Sequence, residues 1–377
     1  MTTFYKTAST LTKGAMTLPG KYYKLEAIFA SELERIFYSR WLCVGRVEQI
    51  PNSGDYFTQQ VGDENLIIVR DSSEEVHAFY NVCRHRGTRL CTIQEGHFSK
   101  GIFCPYHAWR YSLDGQLKVA PLMNEVEGFE RDDYPLNGAS VEIWEGFIFI
   151  NLSPTPEPFS IAFAPLIGRF SQWQMSTLRV GSRIEYDVAA NWKLIHQNYS
   201  ECYHCPSIHP DLAKLSPYRS GENDLFSGPF LGGFMIMNHT DGSMTRSGNR
   251  CAPPLGNVSG ENLRRVYYYS IFPNLLLGLH PDFVMVHRLL PQSPSQTLVV
   301  CEWLFDAEVV AQPDFDLSDV VEFWDMTNRQ DWEICELTQV GVTSRSYTPC
   351  LYAGAESLLA AFDEEVLKAL GHGNFDD

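Results

Sequence analysis

The sequence lacks the features of a membrane-spanning, secreted or nucleic-acid-binding protein. No uninterrupted apolar run approaches the ~20 residues that a membrane-spanning helix requires, and the N-terminus has no charged segment followed by an apolar one. Basic residues are also scarce, because 29 Lys and Arg stand against 46 Asp and Glu, for a net charge of −17. This charge argues against nucleic acids and anionic membranes as partners. We therefore expect a soluble, cytoplasmic protein.

The sequence also lacks a disulfide framework. Ten cysteines in a chain of 377 residues are not the dense pattern of a small cross-linked domain. Several of them, such as Cys301 and Cys335, lie in apolar segments where a reduced thiol is a small core residue. With 44% apolar residues, the chain is long enough for two domains that each have their own core.

The pattern of apolar and turn-forming residues divides the chain into three regions. Residues 1–40 are predicted to form an arm and a helix. Residues 41–153 contain short β-branched or aromatic segments separated by turns, which indicates an antiparallel all-β unit. Three prolines at alternate positions mark Ser153–Pro158 as a linker, because such a segment joins neither a helix nor a central strand.

The third region, residues 154–377, mixes strands and helices. Three strand-like runs are predicted at Val266–Leu279, Phe283–Leu290 and Thr297–Phe305. Two helices follow, an acidic one from about residue 316 to 340 and a second at Leu358–Leu370. The chain as a whole is therefore predicted to be α+β, with an N-terminal all-β domain and a C-terminal domain in which helices flank an antiparallel sheet.

Two short cysteine–histidine pairs lie in the all-β region. Cys83 and His85 form the first pair, and Cys104 and His107 form the second. Each pair follows a predicted strand and is short enough for one loop to present both side chains. The arrangement fits a Rieske [2Fe–2S] cluster, in which the two cysteines hold one iron and the two histidines hold the other. A structural zinc site with two cysteines and two histidines is the alternative, although a C-x-H spacing is unusual for zinc.

A second set of candidate ligands lies between Asn191 and Pro210. At helical spacing, Glu201 is beside His204, but His209 would point about 140° away from His204 on a continuous helix. We expect Pro206 to end the helix, so that the chain folds back and the two imidazoles converge. Two imidazoles beside a carboxylate suggest a mononuclear metal site. The alternative is two unrelated histidines, one buried and one on a loop.

These motifs carry a family resemblance. They are Cys83-Arg84-His85-Arg86-Gly87 with Cys104-Pro105-Tyr106-His107-Ala108-Trp109, Asn191-Trp192-Lys193, and Glu201-Cys202-Tyr203-His204 with His209. With them the chain resembles the α-subunits of Rieske non-haem iron oxygenases, from about Leu18 to Leu370. The resemblance implies a Rieske domain at 41–153, a catalytic domain at 154–377 that carries a mononuclear Fe(II), and an N-terminal segment, 1–40, that packs on the catalytic domain.

An oxygenase of this type needs two histidines and one carboxylate around its iron. Asp331 and Asp325, both on the acidic helix, are the candidates for the carboxylate. Asp331 shares a face with apolar residues, so it requires a partner if that face is buried, and a metal would be one. Asp325 has Arg329 four residues later, so an ion pair explains it. Because Gln330-Asp331 also fits the family pattern, we predict Asp331 as the third ligand.

The resemblance also implies how electrons reach this iron. NAD(P)H supplies them through a flavin and iron–sulfur reductase, or through a ferredoxin and its reductase, to the cluster, and O₂ and a small-molecule substrate react at the Fe(II). The family assembles as a head-to-tail homotrimer, in which one subunit's cluster docks against the next subunit's iron. Glu201 matches the bridging acidic position, where it would hydrogen-bond His204 and the neighbour's His107. An ordinary solvated glutamate is the alternative.

Within the family, the wording Ser200-Glu201-Cys202-Tyr203-His204-Cys205 resembles the branch that oxidises quaternary ammonium compounds such as glycine betaine, stachydrine or carnitine. This resemblance implies hydroxylation or oxidative N-demethylation. It gives Cys202 and Cys205 no ligand role, and we interpret them as packing residues. An aromatic-ring dioxygenase remains an alternative function. A Rieske electron carrier without catalysis is an alternative of another class, although it would not need the second set of ligands.

Overall fold

The computed structural model describes residues 3–239 and 241–372. Its contacts divide into two units. Phe37–Ala162 form one, which we call the cluster unit, and the described residues before and after that range form the other, the catalytic unit. Within the described ranges, no helix is both long and apolar enough to cross a membrane.

The strands of both units are numbered in chain order. They are β1 Tyr5–Lys6, β2 Leu42–Arg46, β3 Asp55–Val61, β4 Glu64–Arg70, β5 Val76–Tyr80, β6 Glu95–His97, β7 Ile102–Phe103, β8 Arg110–Tyr111, β9 Leu117–Val119, β10 Gly138–Trp144, β11 Phe147–Asn151, β12 Arg179–Val188, β13 Glu222–Phe226, β14 Phe230–Ile236, β15 Arg265–Ile271, β16 Leu275–Leu279, β17 Val284–Ser293 and β18 Gln296–Phe305.

The α-helices are fewer and differ widely in length. They are α1 Glu26–Glu32, α2 Phe159–Ala162, α3 Trp192–Tyr199, α4 Cys205–Ile208, α5 Pro210–Leu215, α6 Ala307–Val310, α7 Ser318–Val342 and α8 Ser357–Leu370. A π-helical turn, Leu33–Phe37, continues α1.

The cluster unit is built on an antiparallel sheet of seven strands, in the order β2-β11-β10-β5-β4-β3-β6, with a second sheet of three strands, β7-β8-β9. Along β3, alternate residues Phe57, Gln59 and Val61 are buried, whereas Thr58 and Gln60 on the other face are more exposed. Two loops matter for function. One follows β5 and the other joins β7 to β8, and both rest on a buried core that includes Trp109 and Tyr111.

The catalytic unit contains an eight-stranded antiparallel sheet in the order β1-β13-β14-β15-β16-β17-β18-β12. Strands β16 and β17 are almost entirely buried, which explains their near-continuous apolar sequence. Helix α3 contacts β17, α7 and α8, so its residues lie between the sheet and the long helices. The predicted α+β class, with helices beside an antiparallel sheet, is confirmed.

A buried ion pair ties the N-terminal segment to helix α3. The Lys193 ammonium group contacts the Glu32 carboxylate, and both side chains are fully buried. Trp192 Nε1 donates a hydrogen bond of 2.9 Å to the same carboxylate. Asn191 caps the helix by accepting a hydrogen bond from the backbone N–H of Lys193. The Asn-Trp-Lys motif therefore positions α3.

Two sequence-based predictions were wrong in detail. The run Val266–Leu279 is not one strand, because a turn at Phe272–Asn274 separates β15 from β16, which pair with each other. The helix that starts at Trp192 does not continue to Pro206 but ends at Tyr199. Pro206 instead lies in the first turn of α4, where its missing N–H has no cost.

Candidate functional site

The two cysteine–histidine loops of the cluster unit bring the four predicted cluster ligands together. The rings of His85 and His107 have their centroids 4.7 Å apart. Cys83 and Cys104 are both buried, and burial, with a smaller contribution from the neighbouring Cys104 thiol, raises the pKa of Cys83. Each loop is closed in the same way, since the Cys83 and Cys104 N–H groups donate to backbone carbonyls five residues later, at 2.9 and 2.8 Å.

The histidine rings of these loops are held by stacking rather than by hydrogen bonds. His85 lies parallel to Trp109, with the two ring centroids 4.8 Å apart. The ring centroids of His107 and Tyr106 are 3.7 Å apart. The Nδ1 atoms of both histidines are buried and have no hydrogen-bond partner among the described residues. Unpartnered buried nitrogen atoms are costly unless a ligand satisfies them. Two thiols and two such nitrogen atoms fit the donor set of a Rieske cluster.

Tyr111 supports the first loop, a role that sequence analysis missed. Its Oη accepts a hydrogen bond of 3.1 Å from the Arg84 N–H and lies 3.4 Å from Cys83 Sγ. Because Oη already accepts from Arg84, its own hydrogen is available to the sulfur. Burial raises the pKa of the Cys83 thiol, and the Tyr111 hydroxyl opposes that effect. No spacing in the sequence marks Tyr111 as a partner of Cys83.

The second candidate centre joins three separate elements of the catalytic unit. His204 follows α3 in a loop, His209 lies between α4 and α5, and Asp331 lies on α7. His209 Nε2 is 2.8 Å from Asp331 Oδ1, His204 Nε2 is 3.3 Å from the same oxygen, and the two Nε2 atoms are 3.2 Å apart. The three predicted metal ligands therefore converge, and a single ion could contact all of them.

The outward-facing nitrogen of each histidine has its own acceptor. His204 Nδ1 donates to Glu201 Oε1 at 2.6 Å, and His209 Nδ1 donates to Gln330 Oε1 at 2.8 Å. A hydrogen on Nδ1 leaves the lone pair on Nε2, which points to Asp331. Glu201 also accepts from the backbone N–H groups of Tyr203 and His204, so it is not a freely solvated side chain. Two histidines and a carboxylate with oriented rings are the donor set of non-haem Fe(II) centres.

Electrostatics at this centre favour a positive charge. Burial disfavours the charged form of His204, but hydrogen bonds and charge from Asp331 and Glu201 outweigh burial and raise its pKa to about 10. Burial would raise the pKa of Asp331, yet its hydrogen bonds to His204 and His209 hold that pKa below its usual range. A metal ion would therefore compete with protons for the same nitrogen atoms.

Asp325, the alternative carboxylate, lies elsewhere. Its Oδ2 pairs with Arg329 Nε at 3.0 Å, as expected, and its Oδ1 accepts a hydrogen bond of 2.9 Å from the Tyr186 hydroxyl. The chain continues inward, because Asn328 Nδ2 lies 3.3 Å from Tyr186 Oη and Asn328 Oδ1 lies 3.2 Å from His287 Nε2. Asp325 therefore anchors a polar chain to buried His287 and does not reach the metal-ligand atoms.

Cys202 and Cys205 are joined by a disulfide, so the interpretation of them as separate packing residues is wrong. Both cysteines lie beyond the end of α3 at Tyr199, and their Cα atoms are 4.9 Å apart. The bond encloses His204. The other eight cysteines are free.

A cavity of about 440 Å³ adjoins the three converging side chains, a size that suits a small-molecule site. Its aromatic lining includes Tyr199, Tyr268, Trp324 and Trp332, and Glu201, His204, His209 and Asp331 line it as well. The Tyr199 hydroxyl is buried without a hydrogen-bond partner among the described residues. The cavity therefore places an apolar, aromatic space directly beside the candidate metal centre.

Comparisons with known proteins agree with this geometry. Residues 40–130 match the Rieske [2Fe-2S] domain family, and residues 175–372 match the ring hydroxylating alpha subunit (catalytic domain) family. The glycine betaine monooxygenase oxygenase subunit of Pseudomonas aeruginosa (strain UCBPP-PA14) is 31% identical over 95% of this chain and 90% of its own length. The carnitine monooxygenase oxygenase subunit of Acinetobacter baumannii is 36% identical over 53% of this chain and 54% of its own length.

A solved structure of a quaternary ammonium Rieske monooxygenase is also similar. It has a TM-score of 0.81 and 26% sequence identity, over 95% of this chain and 96% of that chain. The two family matches together account for both the cluster unit and the catalytic unit. The cofactors of the chain are therefore a Rieske [2Fe–2S] cluster and a mononuclear iron. The chain belongs to the family of Rieske oxygenase α-subunits, oxidoreductases that contain a Rieske domain and a ring-hydroxylating-type catalytic domain.

Proposed function

We propose that this chain is the terminal oxygenase component of a quaternary ammonium monooxygenase and removes an N-methyl group from its substrate. The observation that carries the proposal is the convergence of His204, His209 and Asp331 beside an aromatic cavity. The faces of tyrosine and tryptophan rings attract cations, and a quaternary ammonium group has no N–H that would need an acceptor. Relatives that act on glycine betaine and carnitine support the same substrate class.

Within this proposal, Cys83, His85, Cys104 and His107 hold the cluster, and His204, His209 and Asp331 hold the iron. When bound, the cluster would supply single electrons and the iron would activate O₂. The protein orients both centres. Gln330 and Glu201 fix the imidazoles of His209 and His204, and the aromatic lining would exclude water and hold the cation beside the three candidate metal ligands.

The proposed reaction balances with an external reductant. One N-methyl group, O₂, two electrons and two protons give an N-hydroxymethyl group and water. The C–N bond then breaks and its electron pair stays on nitrogen. Loss of the hydroxyl proton yields formaldehyde and a tertiary amine. The electrons come from NAD(P)H through a reductase, so we place the reaction in the cytoplasm.

We further propose that the chain acts as a homotrimer. Glu201 would bridge His204 of one subunit and His107 of the next, as the family resemblance implies. The short hydrogen bond from His204 to Glu201 supports one half of this bridge. The oligomeric state in solution, measured by light scattering, tests it directly, since a monomer with full activity would contradict the bridge.

Anaerobic purification with metal analysis, followed by assays with a reductase, tests the enzyme function. We expect three irons per chain, two in the cluster and one mononuclear, and formaldehyde release coupled to O₂ uptake with N-methylated betaines. Two irons and no O₂ uptake would indicate an electron carrier, and zinc in place of iron would indicate a structural site. Hydroxylation of aromatic acids without formaldehyde would indicate a ring-attacking oxygenase instead.

A further inference from the structure

Positively charged side chains are scarce in the cavity. Among the described residues that line it, Lys6 and Arg219 are the ones with a lysine or arginine side chain. Lys6 Nζ lies 2.6 Å from Glu222 Oε1, so a neighbouring carboxylate compensates its charge. Arg219 has no carboxylate partner among the described residues. Its guanidinium group lies over the Tyr218 ring, 5.2 Å from the centroid, and the residue is exposed, which places it at the solvent-facing side of the cavity.

The rest of the described cavity lining has no such uncompensated charge. Its carboxylates are Glu201 and Asp331, which contact His204. A divalent ion held by His204, His209 and Asp331 would balance both negative charges. What remains there is a lining of neutral aromatic rings, including Tyr268 and Trp324. The cavity therefore offers aromatic faces near the metal ligands and one free cation near solvent.

This distribution complements a molecule that has an ammonium group at one end and a carboxylate at the other. The aromatic rings suit the ammonium group, and Arg219 suits the carboxylate. We propose that Arg219 binds the carboxylate of the substrate, so that the enzyme prefers zwitterionic betaines to quaternary ammonium alcohols. The guanidinium group can hold a carboxylate through two parallel hydrogen bonds, and the ammonium end then points toward the aromatic rings. This inference rests on the proposed function, because it names the substrate class of that same cavity.

Arg219 would act on binding rather than on the chemical step. The carboxylate does not change during N-demethylation, so its contact is equally strong in the ground state and in the transition state. Loss of such a contact raises KM and leaves kcat unchanged. Because Arg219 is exposed, the contact should also weaken with ionic strength, as exposed charge pairs do.

Glycine betaine and choline provide a matched pair of probes, because both carry a trimethylammonium group and only the first carries a carboxylate. We expect Arg219→Met to raise the KM for glycine betaine about tenfold, the size expected for a charged hydrogen bond, with kcat unchanged. The kinetics with choline should not change. Arg219→Lys should restore part of the betaine affinity, since it keeps the charge and loses the two-pronged geometry.

Arg246→Met is the control for removal of a positive charge. Arg246 is exposed, pairs with Glu322 at 2.9 Å and does not line the cavity. We expect this variant to bind both probes as the unmodified enzyme does. Equal loss with glycine betaine and choline in the Arg219→Met variant would show a structural role for Arg219 and overturn the inference. An unchanged KM for glycine betaine would overturn it as well.

A binding measurement separates this inference from the proposed function. Trp324 and Trp332 line the cavity, so tryptophan fluorescence can report binding to the anaerobic oxidised enzyme without a reductase. We expect salt to weaken the binding of glycine betaine to the unmodified enzyme but not to Arg219→Met. If neither probe releases formaldehyde, the proposed reaction fails, while the binding result still decides the role of Arg219. Formaldehyde release with better binding of choline than of glycine betaine refutes the inference alone.

Discussion

The two candidate metal centres both use a pair of histidines, but they leave opposite ring nitrogens available. In the cluster unit, the Nδ1 atoms of His85 and His107 have no partner among the described residues, and the rings are held by aromatic stacking. In the catalytic unit, the Nδ1 atoms of His204 and His209 are bound to oxygen acceptors, which leaves Nε2 for a metal. In the catalytic unit, the partner of Nδ1 thus leaves Nε2 as the candidate ligand, whereas in the cluster unit ring contacts leave Nδ1 available.

The two centres also differ in how their ligands are distributed along the chain. Each loop of the cluster unit presents a cysteine and a histidine that are two or three residues apart. The catalytic centre takes its ligands from the loop after α3, the junction of α4 with α5, and helix α7. Its geometry therefore depends on tertiary packing, whereas each cluster loop is shaped largely by its own backbone hydrogen bonds. Substitutions of the candidate metal ligands in the catalytic unit should therefore change the mononuclear iron and leave the cluster intact.

The largest expected effect comes from Asp331→Ala. Loss of the carboxylate that meets both Nε2 atoms should release the mononuclear iron and reduce formaldehyde formation by at least ~1,000-fold, the scale on which loss of an essential group acts. The cluster should remain, because its ligands lie in the other unit. Iron content and the visible spectrum of the cluster are the measurements.

The matched control is Asp325→Ala, on the same helix. Asp325 pairs with Arg329 and Tyr186 and does not touch the converging nitrogen atoms. The Asp325→Ala variant should therefore keep all three irons. If this variant lost the mononuclear iron while Asp331→Ala kept it, the assignment of the third ligand would be reversed.

A smaller effect is expected from the groups that orient the imidazoles. Glu201→Ala and Gln330→Ala each remove the acceptor of one Nδ1–H and should lower iron affinity by about 10- to 100-fold, as loss of such partners does at other metal sites. Glu201→Gln should keep iron affinity, because an amide oxygen still accepts the hydrogen bond. Competition with a chelator measures all three variants. Equal affinity in Glu201→Ala and in the unmodified chain would contradict the orienting role.

Much of the cluster unit could be predicted from the sequence, because the information is local. The C-x-H and C-x-x-H spacings, the β-branched and aromatic residues of β3 and β4 and the turn between these strands all concern neighbouring residues. The position of Asp331 beside the two histidines was equally readable, since helical spacing distinguishes Asp331 from Asp325, which has Arg329 one turn away. In each case a short-range pattern determined the position of the side chain.

Features that depend on tertiary contacts were not predictable. The helix at Trp192 ends at Tyr199, where the chain turns into the loop that holds Glu201, and a proline seven residues later gave a false end. The disulfide between Cys202 and Cys205 follows from that loop. Gln330 was noted only as part of a family motif, although it holds His209. No sequence pattern marks Arg219 as a binding residue. Its proposed role depends on its position in the cavity and on the lack of a carboxylate partner among the described residues.

The packing beneath the catalytic centre should depend on pH. Asp363 is buried, accepts hydrogen bonds from Gln197 Nε2 and the Tyr352 hydroxyl at 2.6 and 2.7 Å, and lies near Lys193. Burial is the main cause that raises its pKa, to about 7, and those hydrogen bonds oppose the rise. The folded state therefore holds a proton that the unfolded state releases between about pH 4 and pH 7. This contribution to stability is complete below that window and is lost as pH rises through it.

Asp363→Asn should flatten this dependence, by at most about 1.4 kcal/mol per pH unit. Thermal unfolding of the catalytic unit from pH 4 to pH 8 is the measurement. Asp114→Asn is a control from the cluster unit, since the Ser112 hydroxyl lowers the pKa of the exposed Asp114 carboxyl. Its contribution is present at higher pH and is lost only as pH falls below about 4. If the stability of Asp363→Asn depended on pH as steeply as that of the unmodified chain, Asp363 would not be the titrating group.

The smallest expected effect concerns the cluster. The Arg84 N–H donates to Tyr111 Oη, and a thiolate at Cys83, which has no hydrogen of its own, would accept the Tyr111 hydrogen. A hydrogen bond to a cluster thiolate stabilises the reduced form, which carries one more negative charge. Tyr111→Phe should therefore lower the reduction potential of the cluster by roughly 20–60 mV, the equivalent of one hydrogen bond for a one-electron couple.

Tyr106→Phe is the control, because it keeps the ring on His107 and removes a hydroxyl from a largely exposed side chain. The reduction potential of the cluster should not change in this variant. Equal shifts in both variants would mean that ring packing, rather than the Cys83 hydrogen bond, sets the potential.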